Sequence, residues 1–203
     1  MKINYSIIKI VFDFISSSIG LIILSPILIA IAIWIKMDSK GPIFFRQKRI
    51  GQYNKNFYIH KFRSMATESE QKGQLTIGND LRITNSGKFI RKYKLDELAQ
   101  LIDVIQGKMS LVGPRPEVPQ FMDKYPDNIR DKILSVKPGI TDLASIEMID
   151  ENQILDKYAD PHQAYVDIIM PIKAKFYLEY VDNKSFFYDL RIIFKTIYKV
   201  VSR

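Results

Sequence analysis

From Phe14 to Ile35 the chain carries no charged residue, and from Ile19 to Ile35 it is almost wholly aliphatic. Such a run must be buried in protein or in lipid, so it constrains the fold more than any other stretch. Twenty-two helical residues reach ~33 Å, enough for a hydrocarbon core of ~30 Å. A cleaved signal peptide is one rival, because Ala30-Ile31-Ala32 has the small-x-small form. However, the run continues through Ile33, Trp34 and Ile35 and outlasts a signal core. A buried helix of a soluble protein is the other rival, and the basic residues that follow favour a membrane segment over it. Ser25-Pro26 lies mid-segment: the proline removes one helical hydrogen bond, and the serine hydroxyl can answer part of the loss. A kinked spanning helix and a re-entrant helix-break-helix both fit these residues. Lys2 and Lys9 precede the segment and a basic cluster follows it, so only the re-entrant form keeps every lysine on one side. The expectation is therefore a re-entrant membrane helix over residues 1–38, broken at Ser25-Pro26, followed by a cytoplasmic domain over residues 39–203.

With 203 residues the chain can bury a core without staples. It has no cysteine, which excludes disulfides, thiolate zinc sites and thiol nucleophiles, and only His60 and His162 as imidazoles. Any metal is expected to be a hard cation on oxygen ligands, such as Mg2+. The net charge of +8 is concentrated. Between Lys36 and Met65 lie Lys36, Lys40, Arg46, Lys48, Arg49, Lys55, Lys61 and Arg63, against Asp38 alone. Anionic head groups, nucleotide phosphates and nucleic acid all attract such a cluster. Its start at the end of an apolar segment argues for a membrane surface and against nucleic acid.

After Gly41-Pro42, Ile43–Ile50 and Asn56–Phe62 read as a β-hairpin around a turn at 51–55, and residues 66–80 as a polar surface helix or loop. Apolar residues from Phe89 to Ile105 recur at helical spacing, firmest over 95–106, closed by Gly107. Residues 186–201 are aromatic and aliphatic with Arg191, Lys195 and Lys199 interspersed, and read as a helix that closes the core or lies in the bilayer interface. The expected class is α+β, mostly helical, with the hairpin and amphipathic helices around a compact catalytic domain.

Leu95-Asp96-Glu97-Leu98 places adjacent carboxylates after Arg82, Lys88, Arg91, Lys92 and Lys94. A solvated helix face carries Asp-Glu pairs equally well. The alternative is a carboxylate held ionised by cations and a helix N-terminus in a phosphate-binding pocket, with Asp96 as a nucleophile toward phosphorus. Gln100, one α-helical turn on, could reach the same site. In Gly113-Pro114-Arg115-Pro116, prolines on both sides restrict Arg115, whose planar fork suits a phosphate; an exposed arginine on a structural turn is the plainer reading.

Taken together, Ser25-Pro26, Gly41-Pro42-Ile43-Phe44-Phe45-Arg46-Gln47, Lys61-Phe62-Arg63-Ser64-Met65, Leu95-Asp96-Glu97-Leu98 and Val112-Gly113-Pro114-Arg115-Pro116 resemble the monotopic phosphoglycosyl transferases. These are bacterial sugar transferases that begin polyprenol-linked glycan assembly, as for exopolysaccharide, capsule or O-antigen. The resemblance implies transfer of a sugar-1-phosphate from a UDP-sugar to polyprenol (undecaprenyl) phosphate at the cytoplasmic face of the inner membrane, with Mg2+ and release of UMP. It implies Asp96 as the nucleophile that forms a phosphosugar-aspartyl intermediate. Glu97 would be its partner, both carboxylates would lie at the metal, and Arg115, Arg91, Lys61, Arg63 and Gln100 would bind substrate. The chain departs from the family pattern at Ala99, where proline is common. It departs again after Pro138-Gly139-Ile140-Thr141-Asp142-Leu143-Ala144-Ser145, where Ile146-Glu147-Met148-Ile149-Asp150-Glu151-Asn152 replaces the usual continuation. The sugar is not legible from these residues, and the oligomeric state, a homodimer included, is left open. A membrane adaptor without catalysis is the alternative, although an adaptor needs none of Asp96, Glu97 and Arg115.

Overall fold

The computed structural model describes residues 5–67, 80–148 and 151–202. The uncharged run is helical, and α1 (Tyr5–Asp38) continues through Pro26. Pro26 has no N–H for the carbonyl of Ile22, and the Ser25 hydroxyl donates to that carbonyl at 2.7 Å. The chain thus stays helical across the Ser-Pro step. By length and composition α1 could cross a membrane, and only 11% of its most apolar window is buried.

The ends of α1 differ from its middle. Tyr5 Oη and Lys9 Nζ donate to Asp189 Oδ2 at 2.8 and 2.7 Å. The Ser110 hydroxyl donates to Asp13 at 2.7 Å. At the far end, Asp38 accepts from the backbone N–H and the hydroxyl of Ser86, both at 2.8 Å. Between residues 21 and 30 nothing is buried, and Ile22 and Ile23 are 72% and 69% exposed.

The hairpin forms as expected: β1 (Phe44–Ile50) and β2 (Asn56–Phe62) pair antiparallel, Phe44 opposite Phe62 and Ile50 opposite Asn56. Phe57 and Ile59 turn inward onto Val104 and Met109, and the two-residue period puts Lys61 on the same side of β2. The Thr84 hydroxyl caps α2 (Asn85–Lys92) by accepting from Gly87 N–H at 3.0 Å.

Where the sequence predicts one helix over 95–106, the structure has two shorter pieces. Lys94 adopts φ 56°, which ends the preceding helix, and Leu95–Gln100 then wind as a 3-10 turn before α3 (Leu101–Ile105). The rest of the chain runs β3 (Ser110–Val112), α4 (Pro119–Met122), α5 (Asp127–Ile133), β4 (Gly139–Thr141), α6 (Leu143–Glu147), α7 (Glu151–Leu155), α8 (Pro161–Ala164), a π turn, α9 (Met170–Asn183) and α10 (Phe186–Val201). Strands β3 and β4 pair in parallel, Ser110 opposite Gly139 and Val112 opposite Thr141. The polar stretch expected at 66–80 lies almost wholly outside the described residues, as do Ile149 and Asp150.

Helix α9 organises the core. Ala174 and Tyr177 pack among Phe121, Met122, Leu155 and Ile169, and Tyr180 and Val181 among Val112, Leu143 and Ile192. Helix α10 closes part of the core on one face and leaves the other uncovered. Ile192 is fully buried against α9, whereas Phe187, Phe194, Tyr198 and Val201 are left exposed.

The β3–β4 pair also fixes the loop that follows β3. Gly139 N–H donates to Pro114 O at 2.9 Å, and Gly113 N–H to Thr141 O at 3.1 Å. A Cβ on Gly113 would lie 2.4 Å from Lys137 O, and one on Gly139 would lie 2.1 Å from Gly113 N. The nearest atoms at both positions are backbone, which has little room to yield. Gly113→Ala is therefore expected to lower stability by ~3 kcal/mol or more, read as a fall in the urea midpoint. A midpoint within experimental error of the unaltered chain would show that the two loops separate at no cost.

Candidate active site

Three elements converge on the carboxylate pair: β2 brings Lys61, the 3-10 turn brings Asp96 and Glu97, and the loop after β3 brings Arg115. Arg115 forks onto Glu97, Nη2 to Oε1 at 2.5 Å and Nη1 to Oε2 at 3.3 Å. Lys61 Nζ lies 3.3 Å from Glu97 Oε1 and 4.0 Å from Asp96 Oδ2. Asp96 is 7% exposed, and its Oδ1 is buried with no hydrogen-bond partner. An unsatisfied buried carboxylate oxygen costs stability, and in a cleft it marks a position made for something other than folding.

The electrostatics split the pair. Burial would raise Glu97, but Arg115 and Lys61 override it and hold its carboxyl well below the usual carboxylate range. Burial raises Asp96 above its ordinary value against Lys61, with Glu97 adding like-charge repulsion. The sequence predicts cations holding Asp96 ionised; the fold instead gives the nearest cations to Glu97. Burial likewise depresses Lys61 to about 8, with Glu97 opposing. Two adjacent carboxyls driven in opposite directions are a sign of divided chemical roles.

Two cavities meet at Asp96. The first, of about 550 Å³, is walled by Arg46, Arg49, Lys61, Arg82, Arg91 and Arg115. His60 steadies this wall: its Nδ1 lies 2.7 Å from Asp103 Oδ1 and its Nε2 contacts Arg46. The second, of about 900 Å³, runs from the Tyr93–Leu98 turn past Ile140 and Ile146 to Ile197, Val200 and Val201 on α10.

Of the residues expected to bind substrate, Lys61, Arg91 and Arg115 line both cavities. Gln100 lines neither. It is 1% exposed with Nε2 unpartnered, because a 3-10 turn stacks residues i and i+3, so the fourth residue after Asp96 points elsewhere. Arg63 borders the first cavity but directs its guanidinium to carbonyls just past the C-terminus of α1, donating to Ser39 O at 2.8 Å and to Lys40 O. Arg63→Ala is accordingly expected to cost ~2–3 kcal/mol through lost charged hydrogen bonds to carbonyls. Nucleotide affinity, read by calorimetry, should stay within about twofold; a large loss of affinity at unchanged stability would restore Arg63 to the binding set.

Residues that sequence reasoning passed over complete the first cavity. Glu117 and Lys173 are buried, and Lys173 Nζ reaches Glu151 Oε2 at 2.8 Å and Tyr165 Oη at 3.0 Å. Glu117 directly follows Pro116 and was within reach of a motif reading; nothing near Lys173 in sequence points to the dyad.

Among the described residues no group of three or more His, Asp or Glu side chains could hold a metal. The unpartnered Oδ1 of Asp96 beside Glu97 nevertheless fits Mg2+, which takes one or two carboxylates and completes its shell with water and substrate phosphate.

The family model described as bacterial sugar transferase matches residues 4–203. The chain belongs to the bacterial sugar transferase family. An N-acetylgalactosaminephosphotransferase from Aeromonas hydrophila, which acts on UDP-N-acetylgalactosamine and undecaprenyl phosphate, is 38% identical over 98% of this chain and 44% of its own length. A UDP-glucose:undecaprenyl-phosphate glucose-1-phosphate transferase from Klebsiella pneumoniae is 41% identical over 92% of this chain and 38% of its own. An uncharacterized sugar transferase of Bacillus subtilis is 36% identical over 96% of this chain and 88% of its own length. This sugar transferase chain therefore spans less than half the length of the first two relatives. Those two are named for different sugars at similar identity, so overall likeness does not select a sugar.

Proposed function

We propose that this sugar transferase moves a sugar-1-phosphate from a UDP-sugar to undecaprenyl phosphate and releases UMP. The observation that carries the reading is the unpartnered, buried carboxylate oxygen of Asp96 where a cation-walled cavity meets one that ends on the amphipathic helix α10. The first cavity suits a nucleoside diphosphate, and the second suits an acceptor with a charged head and a greasy tail.

In the first half-reaction an Asp96 oxygen attacks the β-phosphorus of the UDP-sugar. The bond from that phosphorus to the bridging oxygen breaks, UMP departs with the electron pair, and an acyl phosphate carrying the sugar remains on Asp96. In the second, an oxygen of the lipid phosphate attacks the same phosphorus and Asp96 leaves as a carboxylate. Each step brings only one of the two substrates to Asp96, the soluble donor in the first and the lipid acceptor in the second. Arg115 and Lys61, released from Glu97 in part, neutralise charge on the phosphoryl oxygens. Mg2+, held by Asp96 and Glu97, would supply the remaining charge compensation on the diphosphate.

The arrangement of α1 supports a re-entrant membrane segment. Tyr5, Lys9 and Asp13 bind the body at one end and Asp38 at the other. A helix fastened to one body at both ends cannot put those ends on opposite sides of a bilayer, and its unburied middle is the part left for lipid. Trp34 and Phe89, with ring centroids 5.4 Å apart, and the exposed aromatics of α10 suit head-group depth, on the cytoplasmic face where the basic cluster would sit.

The test is nucleotide release from a panel of UDP-sugars with undecaprenyl phosphate and Mg2+. UMP is the expected product. UDP would redirect the reading to direct glycosyl transfer, and no nucleotide from properly inserted protein would favour the adaptor.

A further inference from the structure

The two cavities share a short length of wall, and that wall restricts what can touch the migrating group. In the proposed reaction the donor occupies the first cavity and the acceptor the second; only the phosphosugar belongs to both. Residues common to the two linings are therefore the ones able to contact it in both half-reactions. They are Asp96, the cations Lys61, Arg91, Arg115 and Lys173, and two further residues, Glu151 and Asn152.

Lys61, Arg91 and Arg115 answer the phosphate and Asp96 its phosphorus, whereas Lys173 is engaged by Glu151 and Tyr165. Glu151 cannot answer the phosphate, because a carboxylate facing a phosphoryl group is repelled by it. A carboxylate and a primary amide at this position instead match a neutral polyol: the carboxylate accepts from hydroxyls, and the amide both donates and accepts.

Glu151 is also held in a fixed orientation. Its Oε2 accepts from Lys173 Nζ at 2.8 Å, and Lys173, 5% exposed, donates to Tyr165 Oη at 3.0 Å. Tyr165 in turn donates to Glu117 Oε1 at 2.8 Å, so a buried chain of three polar groups, Lys173, Tyr165 and Glu117, fixes the carboxylate from behind. The Glu151 side chain keeps 23% of its surface open. Leu155, 1% exposed in the main core, anchors the other end of α7. Such rigidity has a use where hydroxyl configuration must be read, since a loose contact would accept either epimer.

We propose that Glu151 and Asn152 read the hydroxyl pattern of the transferred sugar, with Lys173 as the residue that positions Glu151. This rests on the phosphosugar-transfer reading and adds to it the residues that choose among sugars. A site that hydrogen-bonds a sugar hydroxyl rejects an analogue lacking it, or carrying it on the other face, because its polar groups are then left unpaired.

The experiment compares the unaltered chain, Glu151→Gln and Asn152→Ala in membrane-inserted form. It measures kcat/KM from UMP release with UDP-glucose, UDP-galactose and their 2-acetamido counterparts, together with UMP affinity by calorimetry. The expected result is a selectivity ratio between the best and second-best donor that contracts about tenfold or more in each variant. UMP affinity should stay within about twofold, because UMP carries no sugar. Lys173→Met should contract the ratio in the same direction. Selectivity unchanged in both variants, a parallel fall in UMP affinity, or an unaltered chain that uses every donor equally would overturn the inference and leave the transfer reading standing. No UMP from any donor with the unaltered chain would overturn the transfer reading itself.

Discussion

Asp96→Asn is expected to abolish turnover and to raise thermal stability. The amide has the size and shape of the carboxylate, so packing in the 3-10 turn is preserved. It has no anionic oxygen with which to form an acyl phosphate, and removal of a covalent nucleophile lowers kcat by ~10⁴-fold or more. Stability moves the other way because the fold disfavours the charge: Asp96 is buried, one oxygen has no partner, and Glu97 adds like-charge repulsion. A neutral amide removes the buried charge and the repulsion, and each ~1 kcal/mol gained raises Tm by about 2–4 °C for a chain of this size. Incubation with a UDP-sugar labelled in the sugar, without acceptor, should leave label on the unaltered protein and none on the variant. A variant that turns over at a tenth of the normal rate would remove Asp96 from the chemistry. A fall in Tm together with activity would mean that the carboxylate is structural.

An inactive variant more stable than its parent is what is expected where strain or unmet polarity is kept for function. The same logic separates what was legible in the sequence from what was not. The hairpin was legible because its strands carry the two-residue period and its turn is polar, and both strands fall within a residue of their expected ends. The dyad was legible as adjacent carboxylates among cations. What the pattern could not show was which carboxylate the cations would take. That depends on Lys94 entering the left-handed region and on the 3-10 winding that follows, neither of which leaves a mark in hydrophobic spacing. Gln100 illustrates the consequence: a reach argued from α-helical geometry fails when three residues, rather than 3.6, make a turn. Arg63 is diverted in another way. Its place beside Lys61 in a basic motif suggested phosphate, but the open carbonyls at the end of α1 compete for the same guanidinium, and those carbonyls lie more than twenty residues away in sequence. Long-range partners such as Lys173 and Glu151 carry no local signal at all.

Arg115 offers the second large effect and decides between two roles. The motif assigns its fork to phosphate, whereas the structure shows that fork on Glu97. Both hold if Arg115 grips Glu97 before substrate arrives and turns partly to the phosphoryl oxygens afterwards; its 25% exposed side chain borders both cavities. Arg115→Ala is expected to lower stability by ~3 kcal/mol, the low end for a broken buried pair because the arginine is partly solvated. Its kcat/KM should fall ~10²–10³-fold. A double-mutant cycle with Glu97→Gln resolves the roles. In stability the two changes should couple by ~1 kcal/mol or more, since the pair exists in the free protein. In kcat/KM the double variant should fall well below Glu97→Gln alone, because the phosphate contact is lost as well. A double variant no slower than Glu97→Gln would mean that Arg115 only orients its neighbour. Arg115→Lys sharpens the result: it keeps the charge but not the planar fork, so an activity close to that of Arg115→Ala would identify bidentate geometry, rather than charge, as what the proline-flanked loop holds in place.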